Sequence, residues 1–195
     1  MEFGPHDHDC SHHISRRTAL RVGGGVAVPA LAGCLGGSGG GVPDPVALTG
    51  SVSCDVCGMV IAKHPGPDGQ IFYRNESPEG HDNPARFDSL KQCFFPYKLE
   101  HERRGWEIAA AYVTDYSSVD YSVSGDGEQY ISSHPAASAF APAEGLSYVV
   151  GSSVKGAMGP DFVPFSDSAD ADSFASEYGG DVIAYGDIDQ GLIGR

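Results

Sequence analysis

One order of elements is legible twice along this chain: strand, strand, capped helix, strand. In the first pass, Ile71-Phe72-Tyr73 and Ala85-Arg86-Phe87 have the apolar and aromatic content of short strands. Asp88-Ser89 then offers a helix N-cap ahead of Leu90-Lys91-Gln92-Cys93-Phe94. The helix runs toward Arg104 with a break at Pro96, Gly105 ends it, and Trp106-Glu107-Ile108-Ala109-Ala110-Ala111-Tyr112-Val113 reads as the next strand. In the second pass the strands are Ser147-Tyr148-Val149-Val150 and Asp161-Phe162-Val163-Pro164-Phe165. Ser166-Asp167-Ser168 caps a helix over 169–178, Gly179-Gly180 stops it, and Asp181-Val182-Ile183-Ala184-Tyr185 closes the unit. The pattern predicts an α+β fold of two homologous ββαβ modules in tandem, at 51–116 and 117–195.

The first 33 residues read instead as an export signal. Ser15-Arg16-Arg17-Thr18 places twin arginines, Arg16 and Arg17, before a weakly apolar run that ends in Leu31-Ala32-Gly33-Cys34. A charged start, a short apolar stretch and small residues at its end describe a leader too short to anchor a membrane by itself. The arginine pair points to the twin-arginine route, and the Leu-Ala-Gly-Cys ending to a lipobox in which Cys34 is lipidated and becomes the new N-terminus. His6, His8, Cys10, His12 and His13 have metal-binding side chains but lie in the part that processing removes. Residues 34–50, rich in Gly, Ser and Pro, predict a flexible tether from the lipid to the folded body.

Composition narrows the function classes. The chain has 26 acidic residues against 12 basic ones, for a net charge of -14. That excess repels phosphate backbones, so nucleic-acid binding is not expected. The leader's acids (Glu2, Asp7, Asp9) and bases (Arg16, Arg17, Arg21) cancel, so processing leaves the balance unchanged. An acid-rich surface with so few lysines fits a halophilic origin, because at 1 M salt the Debye length falls to about 3 Å and self-repulsion is screened. No apolar run approaches the roughly 20 residues of a bilayer-spanning helix.

The chemistry concentrates in Cys54-Asp55-Val56-Cys57-Gly58-Met59, where three sulfur side chains fall within one short segment. Two thiols and a thioether suit Cu(I): the thiolates supply charge, and the methionine needs no deprotonation. Structural zinc normally takes four Cys or His ligands, often as two separated Cys pairs. With no second pair here, a zinc ribbon would have to recruit Cys93 and a histidine at no recognisable spacing. In a thioredoxin-like motif a helix follows the Cys pair and depresses the first thiol's pKa. Here Met59-Val60-Ile61-Ala62 reads as a strand, followed by the turn Lys63-His64-Pro65-Gly66-Pro67, with no helix to do so. A Cys54–Cys57 disulfide, or two packed thiols, is the structural alternative.

Two further candidates are His64, a copper ligand or a solvated turn residue, and Met158, a ligand or gate. Met158 sits in Gly156-Ala157-Met158-Gly159-Pro160, where small neighbours leave the thioether exposed. Cys93, beside Phe94 and Phe95, reads as a packing residue, and His81, His101 and His134 as surface residues. There is no Gly-x-Ser-x-Gly turn and no Walker lysine, so neither a serine nucleophile nor a phosphate loop is present, and the chain does not read as an enzyme.

These motifs together resemble the NosL family. The resemblance rests on Cys57-Gly58-Met59, His64-Pro65-Gly66-Pro67-Asp68-Gly69-Gln70-Ile71, Phe87-Asp88-Ser89, Gly156-Ala157-Met158-Gly159-Pro160-Asp161 and Val163-Pro164-Phe165. It implies a lipid-anchored Cu(I) chaperone outside the cytoplasm, with two ββαβ modules. It also implies as partners an ABC-type copper/sulfur maturation complex and, through it, nitrous-oxide reductase. Cys57 and Met59 match the family's copper motif, and Met158 matches its second methionine motif. Cys54 departs from the pattern of many relatives; it is either a third ligand or a partner that oxidises with Cys57. The alternatives to delivery are a thiol-disulfide redox protein of the cell surface and a copper-sequestering protein without a dedicated client.

Overall fold

β1 (Gly69–Tyr73) is buried along its whole length and lies between β2 (Ala85–Phe87) and β3 (Ile108–Thr114), antiparallel to both. The structure is a computed structural model that describes Met1 and residues 41–194; Arg16, Arg17, Cys34 and the leader's histidine cluster lie outside the described residues. Further along, β7 (Ser147–Val150) takes the same central place between β10 (Val163–Phe165) and β11 (Asp181–Ala184), again antiparallel to both. In each sheet the first strand of the ββαβ order is central and the other two flank it. α2 (Ser168–Tyr178) packs on β7, β10 and β11, and the Asp167 side chain caps it by accepting from Ala169 N at 2.8 Å. Mixed α+β architecture is as the sequence predicts.

The first helix differs from its expected form. Residues Leu90–Phe94 make a π-helical turn, with Phe94 N–H reaching Ser89 O at 3.0 Å, and only Phe95–Arg103 is α-helical (α1). Ser89 caps the π turn, accepting from Gln92 N at 3.1 Å. Pro96 falls in the first turn of α1, where its missing N–H costs nothing, so it starts the α segment rather than breaking it.

Residues 41–194 form one compact unit. β6 (Phe140–Pro142) adds a fourth strand to the first sheet, along the free edge of β3. One apolar cluster joins both sheets: Phe95 from α1 lies 5.7 Å from the Tyr148 ring and 5.8 Å from that of Phe162. Burying such aromatic side chains contributes about 2–3 kcal/mol each. A second cluster, around Tyr116, Phe165 and Phe174, lies beneath α2.

Two features were not legible in advance. A small third sheet combines β4 (Val123–Ser124), β5 (Tyr130–Ile131), β8 (Lys155–Gly156) and β9 (Gly159–Pro160). And the end of the segment read as tether is docked. Leu48 is fully buried, and Val46 exchanges two 2.9 Å hydrogen bonds with the buried amide of Gln70. A glutamine inside a central strand needs such partners, and the segment supplies them. No helix among the described residues is long and apolar enough to cross a membrane.

Candidate metal centre

The Cys54–Met59 segment folds as a tight turn. Cys54 N donates to Met59 O at 2.8 Å, Gly58 N returns to Cys54 O at 2.9 Å, and Ser53 and Val60 form an antiparallel bridge. Gly58 takes φ +77, a region that favours glycine, where the chain turns back from Cys57 to Met59. After Val60 the chain makes a single 3-10 turn, Ile61–Lys63, where the sequence reading placed a longer strand.

Asp55, inside the turn, locks it to the first sheet. Its N–H donates to Arg86 O at 2.9 Å, and its Oδ2 accepts from Arg86 N at 2.7 Å. Its Oδ1 lies 2.7 Å from His81 Nε2, so His81 is a structural partner rather than a solvated residue. His101 is also not at the surface: it is buried and stacked on Tyr97, with ring centroids 3.8 Å apart.

Four side chains converge at the mouth of this turn: Cys54, Cys57, Cys93 and Asp88, with their donor atoms all within 4.8 Å of one another. All three thiols are free. The Asp88 carboxylate accepts from Cys57 Sγ, with 3.3 and 3.4 Å to its two oxygens, and its Oδ1 lies 3.7 Å from Cys93 Sγ. Cys93 is the residue that sequence reasoning missed. Its neighbours Phe94 and Phe95 do pack in the core, yet the π turn that carries Cys93 brings its sulfur to the other two.

Met158 arrives from the opposite side. It occupies the two-residue turn between β8 and β9, is 43% exposed, and holds its Sδ 3.6 Å from Cys93 Sγ. Its hairpin is seated by a glycine contact. Gly66, at φ +113 in the His64-Pro65-Gly66-Pro67 turn, lies so close that a Cβ there would stand 2.6 Å from Gly156 Cα. Met59 is half-buried on the sulfur turn. His64 is half-buried too and stands outside the converging group.

No α-helix follows the Cys pair, yet one thiol pKa is lowered by other means. Cys54 is lowered to about 7, first because the Cys93 thiol donates to its sulfur, with backbone amides of Cys57, Val56 and Asp88 adding to the effect against burial. Cys57 is pushed up to about 12, chiefly by desolvation. Cys93 is raised because it is the donor to Cys54 and is buried. The group thus holds one thiolate readily and resists a second, until a cation offsets the charge.

Buried carboxyls surround it. Asp68 is raised well above the usual carboxylate range by burial; the Ser133 hydroxyl opposes this, while Asp88 and Asp161 add to it. Asp161 is raised to about 7 by burial, against hydrogen bonds from Lys91, Ser89, Phe162 and Leu90. This donor set can hold a soft monovalent cation, whose charge offsets that of the thiolates bound to it. Three thiols and a carboxylate also suit zinc, but a thioether so close to one of them does not serve that ion.

Comparison with known proteins places this geometry in context. The NosL family profile matches residues 45–193. The copper-binding lipoprotein NosL of Stutzerimonas stutzeri is 33% identical over 150 residues, covering 77% of this chain and 68% of that protein. The protein of the same description from Achromobacter cycloclastes is 31% identical over 143 residues, covering 70% of this chain and 63% of that protein. Among solved structures, the copper chaperone NosL from Shewanella denitrificans matches with a TM-score of 0.60 at 28% identity, over 74% of this chain and 95% of that one.

Proposed function

The chain belongs to the NosL family, and from that membership we propose that it is a Cu(I)-binding chaperone, lipid-anchored outside the cytoplasm, that supplies copper for assembly of the nitrous-oxide reductase copper centre. The observation that carries the copper reading is the convergence of three thiols within 4.8 Å, with the exposed Met158 thioether 3.6 Å from one of them. Cys57 and Met59, on the two arms of the turn, are the expected anchor pair, and Cys54 and Met158 complete a site of soft donors. His64 is the least supported ligand, since it lies outside the converging group.

Delivery rather than storage is favoured by exposure: Met158 is on the surface and Cys57 is half-buried, so an incoming thiolate or thioether can displace ligands one at a time. Anchoring through Cys34 and export by the twin-arginine route follow from the leader, and an ABC-type maturation complex is the expected intermediary on the way to the reductase. The protein turns over no substrate in this account.

The test is a competition titration of the reduced protein with Cu(I) against a chelator, for the wild type, Cys57→Ser and Met59→Leu. Both variants weaken binding if copper is the cargo. A thiol-disulfide protein would lose little from the methionine change, and a zinc protein would prefer Zn(II) in the same assay. Loss of nitrous-oxide reductase copper in cells lacking this chain, restored by the wild type and not by Cys57→Ser, would separate delivery from sequestration.

A further inference from the structure

The family resemblance accounts for Cys57, Met59 and Met158; it leaves Cys93 without a role. Yet Cys93 is the best connected sulfur of the group. Its Sγ lies within 4.8 Å of both Cys54 and Cys57, and 3.6 Å from Met158 Sδ. It is completely buried, Cys54 is 3% exposed, and Met158 is 43% exposed. The sulfurs therefore grade from solvent to interior: Met158 outermost, the half-buried Cys57 next, and Cys54 and Cys93 innermost, with Cys93 in direct contact with Met158.

Packing alone does not account for this arrangement. A cysteine kept for its volume has no reason to sit in a π turn that aims its sulfur at two other thiols and a thioether. Irregular turns of this kind recur where a side chain must be placed for function. Two buried thiols, Cys93 and Cys54, bordered by the half-buried Cys57 and the exposed Met158 thioether, offer a soft ion one shielded position and one within reach of a partner.

Resting on the copper reading above, we propose that Cys93 is itself a Cu(I) ligand, forming with Cys54 and Cys57 a shielded holding position that Met158 connects to the surface. On entry the ion passes from Met158 to Cys93, and each thiol that bonds to it releases its proton to solvent; copper stays Cu(I) and no electron is transferred. On hand-over the order reverses, and Met158 offers the ion to the partner's sulfur.

The experiment is a chelator chase of the Cu(I)-loaded, reduced protein, paired with copper K-edge X-ray absorption, for the wild type, Cys93→Ala, Cys93→Ser and Met158→Leu. Removing the Cys93 sulfur is expected to speed copper release at least about tenfold and to take one sulfur from the copper shell. The serine variant preserves volume, so agreement between the two substitutions separates ligation from packing. Met158→Leu is expected to slow Cu(I) uptake and to weaken binding through the lost soft donor; uptake at the wild-type rate would overturn the connecting role given to Met158. Unchanged release and an unchanged shell in both Cys93 variants would overturn the proposal while leaving the copper reading intact. A wild-type protein that takes up no Cu(I) would defeat the copper reading itself.

Discussion

The Asp161 carboxylate accepts the N–H of Leu90 at 3.0 Å, joining residues 71 positions apart in the chain. The same oxygen accepts from Lys91 N and Phe162 N at 2.8 Å, while Oδ2 is buried without a hydrogen-bond partner and faces Gly156. One side chain thereby ties the start of the π turn that carries Cys93 to the hairpin that carries Met158. Asp161→Ala should cost about 2–4 kcal/mol, the loss of a helix cap together with stranded buried amides. Denaturant melts of the apo-protein check this; a cost under about 0.5 kcal/mol would contradict the role given to Asp161.

Burial pushes Asp161 up to about 7, so the folded chain holds its proton through a range where the unfolded chain, at about 3.9, has lost it. The stability linked to that proton is fully present below about pH 4 and is lost as the pH rises through 7. Asp161→Asn keeps an accepting oxygen and removes the titration. The melting temperature of the variant relative to wild type should therefore climb between about pH 4 and 7 and level off above. A difference that stays flat across this range would contradict the assignment.

Two glycines with positive φ should respond unequally to alanine. At Gly58, φ +77, an added Cβ meets nothing within 4 Å, so Gly58→Ala should cost only the backbone preference, about 1–2 kcal/mol. At Gly66, φ +113, the Cβ would stand 2.6 Å from Gly156 Cα, adding about 1–3 kcal/mol of overpacking between two backbones. Thermal melts should rank Gly66→Ala as the less stable variant, and only that change should also displace the Met158 hairpin and weaken Cu(I) binding through it.

The Cys54 thiol is lowered to about 7 above all by the Cys93 S–H that donates to it. Thiolate absorbance of the reduced apo-protein should show one sulfur ionising near neutrality, well before Cys57, which is raised to about 12. Removing the donor with Cys93→Ala should move that first midpoint upward. Because Cys54 ionises more easily folded than unfolded, its contribution to stability is present above pH 9 and is lost as the pH falls through about 7. An unshifted midpoint in Cys93→Ala would mean that Cys93 does not donate to Cys54.

What the sequence revealed depended on how local the signal was. Capped helices and apolar runs are local, so β1, β2, β7, β10 and α2 fall where Ile71, Phe87, Val149, Phe165 and Asp167 place them. The sulfur turn was equally legible because Cys54, Cys57 and Met59 are neighbours, and Met158 declared its exposure through the small residues around it. Cys93 was hidden because its sulfur partners are 36 to 65 positions away, while its local neighbours are genuine core aromatics. Asp161 was hidden in the same way: a lone acid in an acid-rich chain carries no sign of the three amides it holds. The third sheet consists of two-residue strands, Val-Ser, Tyr-Ile, Lys-Gly and Gly-Pro, too short to show any alternation. His101 has the composition of a surface residue, and only the stack with Tyr97 reveals its burial.

If sulfur from these loops grips a cuprous ion, copper K-edge X-ray absorption on the anaerobically reduced, Cu(I)-loaded and desalted protein will see it. Copper should survive desalting in a shell of sulfur donors that thins when Cys57 is replaced by serine. Copper lost on the column, or retained in a shell of nitrogen and oxygen that ignores Cys57, would contradict this.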